Sequence, residues 1–279
     1  MKVLKDQQQR LQTELLAWGN QHRRALPWRE TRDPFLVLVA EVMLTQTQVS
    51  RVATIFPSFV QRFPTIAVLA DAPIQELLAL WSGLGYNRRA LRLRECARSI
   101  HNQHQGLVPD DYRVLRSLPG IGPYIANAIL AQAFNHRVSA LDTNTRRVLL
   151  RAFFGTLEQT RELQRKADEL VPAGQIWTWT QAVFDLGATI CRPQPACAVC
   201  PLQEGCLFQG RGDDPHKTPR RQSTFEGSHR QLRGRVIAAF AQGVTTKAEL
   251  ARHIGLSDSA FDQVYNELAQ EGFFEPNTT

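Results

Sequence analysis

Residues 118–129 read LPGIGPYIANAI. Pro119-Gly120 and Gly122 make a tight turn, and the apolar spacing that follows opens directly into a helix. Glycine lets a backbone come close to a ligand, and the free N–H groups at a helix start favour a phosphate. Such turns also serve as plain connectors, so the stretch acquires meaning only from what surrounds it. On both sides the periodicity is helical. Apolar positions three and four apart predict helices over about 5–22, 35–49, 51–63, 73–81, 88–104, 111–117, 123–134, 143–154, 160–171 and 177–190. Phe63-Pro64, Gly83-Leu84-Gly85, Gly106, Gly155 and Pro172 punctuate them. Strand alternation is almost absent, which predicts an all-α protein of many short helices.

Downstream, residues 191–206 read CRPQPACAVCPLQEGC and hold four of the five cysteines. Cys191, Cys197, Cys200 and Cys206 follow the spacing C-x5-C-x2-C-x5-C. Thiols this dense in a chain without an export signal hold a metal or a cluster more often than they form disulfides. Zinc and a 4Fe–4S cluster both accept four thiolates, and the spacing alone leaves the two open. The fifth cysteine, Cys96, lies among Leu91, Leu93 and Ile100 and reads as a buried structural thiol.

Length and charge bound the rest. At 279 residues the chain has room for about two domains. Its net charge is +7 and its pI about 9.5, a balance suited to a polyanionic partner. The polar start MKVLKDQQQR has no apolar signal core, and no apolar run is long enough to span a bilayer. These features predict a cytoplasmic protein with no membrane partner. Residues 209–231 read as a basic linker carrying Lys217, Arg220, Arg221 and Arg230. After it, residues 232–279 give three short helices and an apolar exit, with Thr246-x-x-Glu249 as a capping box. That predicts a small winged-helix-like module. The alternative is a packing domain that touches no DNA, because its third helix carries Asp258, Asp262 and Glu267 and no basic residue.

Taken in order, LPGIG-x-Y, LDTNTRRVL at 141–149 and the four cysteines resemble the helix-hairpin-helix DNA glycosylases with an iron–sulfur cluster. Within them the chain is most similar to the MutY-type adenine glycosylases. LPWR at 26–29, AEVMLTQTQV at 40–49, LWSGLGY at 80–86 and TQAVFDLGATIC at 180–191 carry that likeness, which spans roughly residues 8–208. The resemblance implies two helical lobes. One is a cluster lobe made of 1–27 and 137–208; the other is a six-helix barrel over 28–136. It favours 4Fe–4S over zinc, and it implies a monomer acting on double-stranded DNA that contains a mispaired base, associated with the nucleoid.

The implied activity is hydrolysis of the N-glycosidic bond of adenine opposite 8-oxoguanine or guanine. That chemistry needs a protonated leaving base and a stabilised sugar cation. Glu41 occupies the general-acid position, Asp142 that of the stabilising aspartate, and Asn144 that of its positioning neighbour. Read without the family, Glu41 is a surface carboxylate and Asp142 a helix N-cap. Tyr124 stands where relatives that nick the strand carry a lysine, and tyrosine cannot form their imine, so a monofunctional enzyme is implied. Arg24, Trp28, Arg29 and Asp185 match positions that line the base pocket. Gln46 and Tyr86 match residues that insert into the duplex. Gly120 and Gly122 match the hairpin that holds the DNA backbone.

The sequence departs from the family at Thr45, at Asn87 and in the first cysteine spacing. Residues 209–279 read as too short and too helical for the β-rich, MutT-like C-terminal domain usual in the family, and this end resembles those of some actinobacterial members. Two rival readings stand beside this one. The first is a mismatch-specific thymine or uracil glycosylase of the same superfamily; the second is a non-catalytic damage-binding protein.

Overall fold

The computed structural model describes residues 2–155, 160–208 and 224–274. All regular elements among the described residues are helical: α1 (Lys2–His22), α2 (Pro34–Leu44), α3 (Val49–Arg62), α4 (Ile66–Ala70), α5 (Ile74–Leu80), α6 (Arg88–Gln103), α7 (Tyr112–Ser117), α8 (Pro123–Gln132), α9 (Thr143–Leu149), α10 (Thr160–Leu170), α11 (Ile176–Thr189), α12 (His229–Ala241), α13 (Lys247–Ile254) and α14 (Ser259–Gln270). No helix among the described residues is long and apolar enough to cross a membrane. Most of the basic linker, including Lys217, Arg220 and Arg221, lies outside the described residues.

The chain forms two compact units. The first comprises Met1–Val37, Asp110–Arg116 and Ile121–Arg220; the second comprises Leu38–Pro109, Ser117–Gly120 and Arg221–Thr279. In the first, α1 lies along α11 with its Leu11, Leu15 and Leu16 in one core with Trp179, Ala182, Val183 and Leu186. The approach is close because Gly19 has no side chain: a Cβ there would stand 2.5 Å from the Cβ of Ala182. Helix α9 packs on α11 in the same way at Gly187, where a Cβ would meet that of Asn144 at 3.1 Å. After α9 the backbone widens into a π-helical turn over Leu150–Phe154, so the helix expected over 143–154 changes its pitch halfway.

In the second unit, Phe59, Phe63 and Trp81 make edge-to-face contacts at 5.1 and 5.8 Å, and α4 packs against α6. Cys96 is fully buried in α6, and burial pushes its thiol up to about 12, as befits an inert core residue. The expected helix over 35–49 ends instead at Leu44. Gln46 adopts a left-handed φ of 59° there, which no α-helix continues through.

The C-terminal module also belongs to the second unit, packing α12 against α5 and against α13 and α14. Its capping box forms as expected, and Gly255 closes α13 in the left-handed region. No strand accompanies the three helices among the described residues. The acidic groups of α14 are spent internally. Asp258 caps the helix, Asp262 pairs with Lys247 at 2.7 Å, and Glu267 pairs with Arg233 and His229 at 3.1 Å each.

Candidate functional site

Asp142 is the N-cap of α9. Its Oδ1 accepts the Thr145 N–H at 2.6 Å, and its Oδ2 accepts a hydrogen bond from Asn144 Nδ2 at 3.2 Å. Asn144 is itself oriented, because its Oδ1 accepts from Arg147 Nη2 at 2.9 Å. Arg147 is only 5% exposed and also donates to the carbonyls of Gly187 at 2.9 Å and Cys191 at 2.8 Å. The carboxylate thus sits at the end of a relay of hydrogen bonds that starts at the cysteine loop. The N-cap alternative is realised, and it is compatible with catalysis, since only one oxygen is committed to the cap.

A second cluster in the same unit joins three expected residues. Asp185 is 1% exposed. Arg29 grips it with both terminal nitrogens, at 2.8 and 2.9 Å, and Arg24 adds Nε at 2.5 Å and its backbone N–H at 3.2 Å. Burial would raise this carboxyl, but the two guanidiniums outweigh it and hold the group below the ordinary carboxylate range. Four donors fill the acceptor sites of one carboxylate, so Asp185 acts as a brace. The terminal nitrogens of Arg24 make no hydrogen bond among the described residues and remain available as donors. Trp28 is buried in the 3₁₀ turn between the two arginines. Tyr124, two residues into α8, stacks obliquely on Phe184 at 6.3 Å, next to Asp185 in α11.

The four cysteines lie on the same unit's surface, part-buried, with Cys191, Cys200 and Cys206 against its core. Short 3₁₀ turns at Cys197–Val199 and Gln203–Gly205 fold the loop back on itself. Arg151, 3% exposed, donates to the carbonyls of Arg192 at 2.6 Å and Pro193 at 3.1 Å, and lies 3.6 Å from Cys191 Sγ. Its own carbonyl accepts from Cys206 Sγ at 3.5 Å and from the Phe208 N–H at 2.9 Å. Burial pushes the Cys200 thiol up to about 11, and the three other cysteines add to it. Among the described residues no group of three or more His, Cys, Asp or Glu side chains stands in metal-holding geometry. The donor chemistry nevertheless suits a soft metal centre: four sulfurs, an apolar backing and two buried arginines that favour thiolates.

The second unit contains Glu41, Gln46, Tyr86 and Gly120. Glu41 is 2% exposed among Val39, Ala40, Val42 and Met43, all buried, which excludes the surface-carboxylate alternative. Gln46 and Tyr86 are exposed at the tips of two loops, and both have left-handed backbones, φ 59° and 47°. Gly120 needs to be glycine twice over. Its φ is +79°, and a Cβ would press on Arg92 at 3.0 Å. Gly122, in the first unit, caps α8 with extended backbone and open space around it.

Sequence reasoning missed Arg147, Arg151 and Gly187. The signal available was weak: two arginines on the apolar side of a helix, and a glycine inside one.

Comparison with known proteins places these features in a lineage. The family model "HhH-GPD superfamily base excision DNA repair protein" matches residues 39–173. An adenine DNA glycosylase of Mycolicibacterium smegmatis is 38% identical over 270 residues, covering 94% of this chain and 92% of that protein. That coverage carries the similarity into the C-terminal module. An adenine DNA glycosylase of Mycobacterium tuberculosis is 40% identical, covering 85% of this chain and 81% of its own. Among solved structures, a thermostable thymine-DNA glycosylase superposes with a TM-score of 0.70 at 30% identity, over 74% of this chain and 98% of that one.

Proposed function

This chain belongs to the adenine DNA glycosylases, within the HhH-GPD superfamily of base excision DNA repair proteins, and from that membership we propose that it releases adenine mispaired with 8-oxoguanine or guanine. The partner is duplex DNA holding the mispair, met in the cytoplasm by a monomer. The observation that carries the reading is Asp142: a carboxylate with one oxygen committed to the cap and the other steered by Asn144.

The bond to be broken joins adenine to C1′ of its deoxyribose. Glu41 supplies a proton to the leaving base. Its carboxyl is buried, so the transfer takes place away from bulk water. As the bond parts, positive charge develops on the sugar, and Asp142 offsets it. Water adds its oxygen to C1′ and gives up a proton, leaving free adenine and an abasic site. Tyr124 offers no amine, so no imine forms and the strand stays intact. Trp28 gives the extruded base an apolar wall, and Arg24 gives donors to its edge, with Arg29 and Asp185 bracing Arg24. Gly120 and Gly122 let the DNA backbone approach the start of α8.

Cys191, Cys197, Cys200 and Cys206 would hold a 4Fe–4S cluster. When bound it supplies a covalent cross-link of the loop rather than a redox step, since hydrolysis moves no electrons. Arg147 then connects the loop's carbonyl at Cys191 to Asn144.

The test is a single-turnover assay on four duplexes: A opposite 8-oxoguanine, A opposite G, T opposite G and U opposite G. Alkali reveals abasic sites, and a lane without alkali reveals nicking. Adenine release without nicking is the expected result. Release of thymine or uracil instead would transfer the chain to the mismatch glycosylases, the activity named for its solved structural neighbour.

A further inference from the structure

Arg89, in the first turn of α6, directs its guanidinium at the end of α2 and at the two loops that hold Gln46 and Tyr86, all in the second unit. Nη1 donates to the carbonyls of Val42 at 2.8 Å and Met43 at 2.9 Å, and to that of Thr45. Nη2 donates to Thr47 Oγ1 at 2.8 Å and to the carbonyls of Gly85 at 3.0 Å and Leu84 at 3.3 Å. Nε reaches the Tyr86 carbonyl at 3.4 Å. The guanidinium also lies 5.4 Å from the Trp81 ring centre and 5.6 Å from that of Tyr86. Thr47 Oγ1 completes the link by donating to the Leu84 carbonyl at 3.0 Å.

Such a node has a purpose visible in the backbone. The residues it brackets, Gln46 and Tyr86, are exposed and left-handed, a conformation that non-glycine residues adopt only when the surroundings impose it. The carbonyls at the end of α2 carry the negative end of the helix dipole, which a cation satisfies. Among the described residues no carboxylate bonds to it, and burial lowers the Arg89 guanidinium to about 10. A planar fork with five donors can span both loops, whereas an ammonium cannot.

We propose that Arg89 is a positioning residue that fixes the Gln46 and Tyr86 loops in register for insertion into duplex DNA at the site of base extrusion. This rests on the reading of Gln46 and Tyr86 as inserting residues. Insertion offsets the stacking lost when a base leaves the helix. It matters for a stacked adenine and little for one already unstacked. Arg89 also touches carbonyls of the helix that carries Glu41, and a disturbance of Glu41 would slow both substrates alike.

The experiment compares Arg89→Lys with the unmodified protein under single turnover. The substrates are an A·G mispair in duplex and an adenine in a single-nucleotide bulge. We expect a loss of about 10²-fold on the mispair, the scale of a small misplacement remote from the chemistry, and only a few-fold loss on the bulge. Equal loss on both, or no loss on the mispair, overturns the proposal. Thr47→Val should give a smaller loss with the same substrate pattern, and Thr47→Ser should behave as wild type. That pair decides the matter where Arg89→Lys fails to fold. A 2-aminopurine beside the mispair reads insertion without chemistry. If the protein releases no adenine but still raises this fluorescence, the glycosylase reading has failed. Retention of the signal in Arg89→Lys would then overturn the proposal, and its loss would support it. If the unmodified protein raises none, the insertion reading falls and the proposal with it.

Discussion

Asp142 has two roles that a pair of substitutions can separate. As an N-cap it holds the Thr145 amide at 2.6 Å at the start of a seven-residue helix. Asparagine caps about as well as aspartate, so Asp142→Asn should cost a few tenths of a kcal/mol for the hydrogen bond and about 0.5 kcal/mol for the lost charge at the helix start. Asp142→Ala removes the cap and should cost about 1–2 kcal/mol, or roughly 2–3 °C in Tm for a chain of this size. Catalysis responds differently. A negative charge about 4 Å from a sugar cation in a medium of effective dielectric about 20 is worth about 4 kcal/mol. Losing it in either variant should slow adenine release by about 10³-fold. Three measurements decide this: the single-turnover rate, the Kd for the mispaired duplex, and thermal unfolding. The expected pattern is equal inactivity, unequal Tm and near-normal DNA affinity. If Asp142→Asn retained a rate within about tenfold of wild type, or if activity followed Tm across the two variants, the carboxylate would be only a cap and the mechanism wrong.

Three other perturbations test the surrounding frame. Arg147→Lys cannot reach the carbonyls of Gly187 and Cys191 and the Asn144 amide together, so stability should fall by about 2–4 kcal/mol, seen in denaturant unfolding. Adenine release measured well below the midpoint should slow as well, because Asn144 loses its orientation; an unchanged rate would show that the relay does not reach Asp142. Gly187→Ala places a methyl 3.1 Å from Asn144 Cβ and 3.2 Å from Val148 Cγ2, which should cost about 1–3 kcal/mol and slow release, whereas an unchanged Tm would mean that α9 gives way freely. Asp185 has a lowered pKa in the fold. Its contribution is therefore present above the unfolded-state value of about 4 and is lost as the pH falls through the folded value. Asp185→Asn should lower stability at neutral pH by about 3–5 kcal/mol by stranding two guanidiniums, and should flatten the acid limb below pH ~4. Acid unfolding curves that superimpose would count against the brace.

Most helices were legible because their apolar positions recur at helical spacing over ten or more residues. Ile66–Ala70 was not, since five residues between Pro64 and Pro73 carry too little period to read. The early end of α2 was also hidden: nothing local forbids a helix through Gln46, and the group that binds the carbonyl freed at Thr45 is Arg89, 44 positions away. Candidate site residues with a chemical signature, such as the four cysteines and the carboxylates, could be proposed from sequence. Their supports could not. The partnership of Arg24 and Asp185 spans 161 positions, and Arg147 looked like any charge on a short basic helix. What sequence lacked was the pairing of distant groups, which only packing supplies.

The position of α1 in its unit has a consequence for biosynthesis. Gln12 bonds to the Leu170 carbonyl across 158 positions, and Gln7 to that of Gly205 across 198. The helix therefore leaves the ribosome with its leucine stripe long before α11 and the cysteine loop exist to cover it. Contacts of such sequence separation form late and leave apolar surface exposed meanwhile. The intervening residues 38–109 belong to the other unit and carry their own core, so they can fold while α1 waits. Nascent chains stalled before Ile176 should keep α1 open to proteolysis and to chaperones, and those stalled after Cys206 has cleared the exit tunnel should not. Completion of the cysteine loop would then be the event that matures this unit.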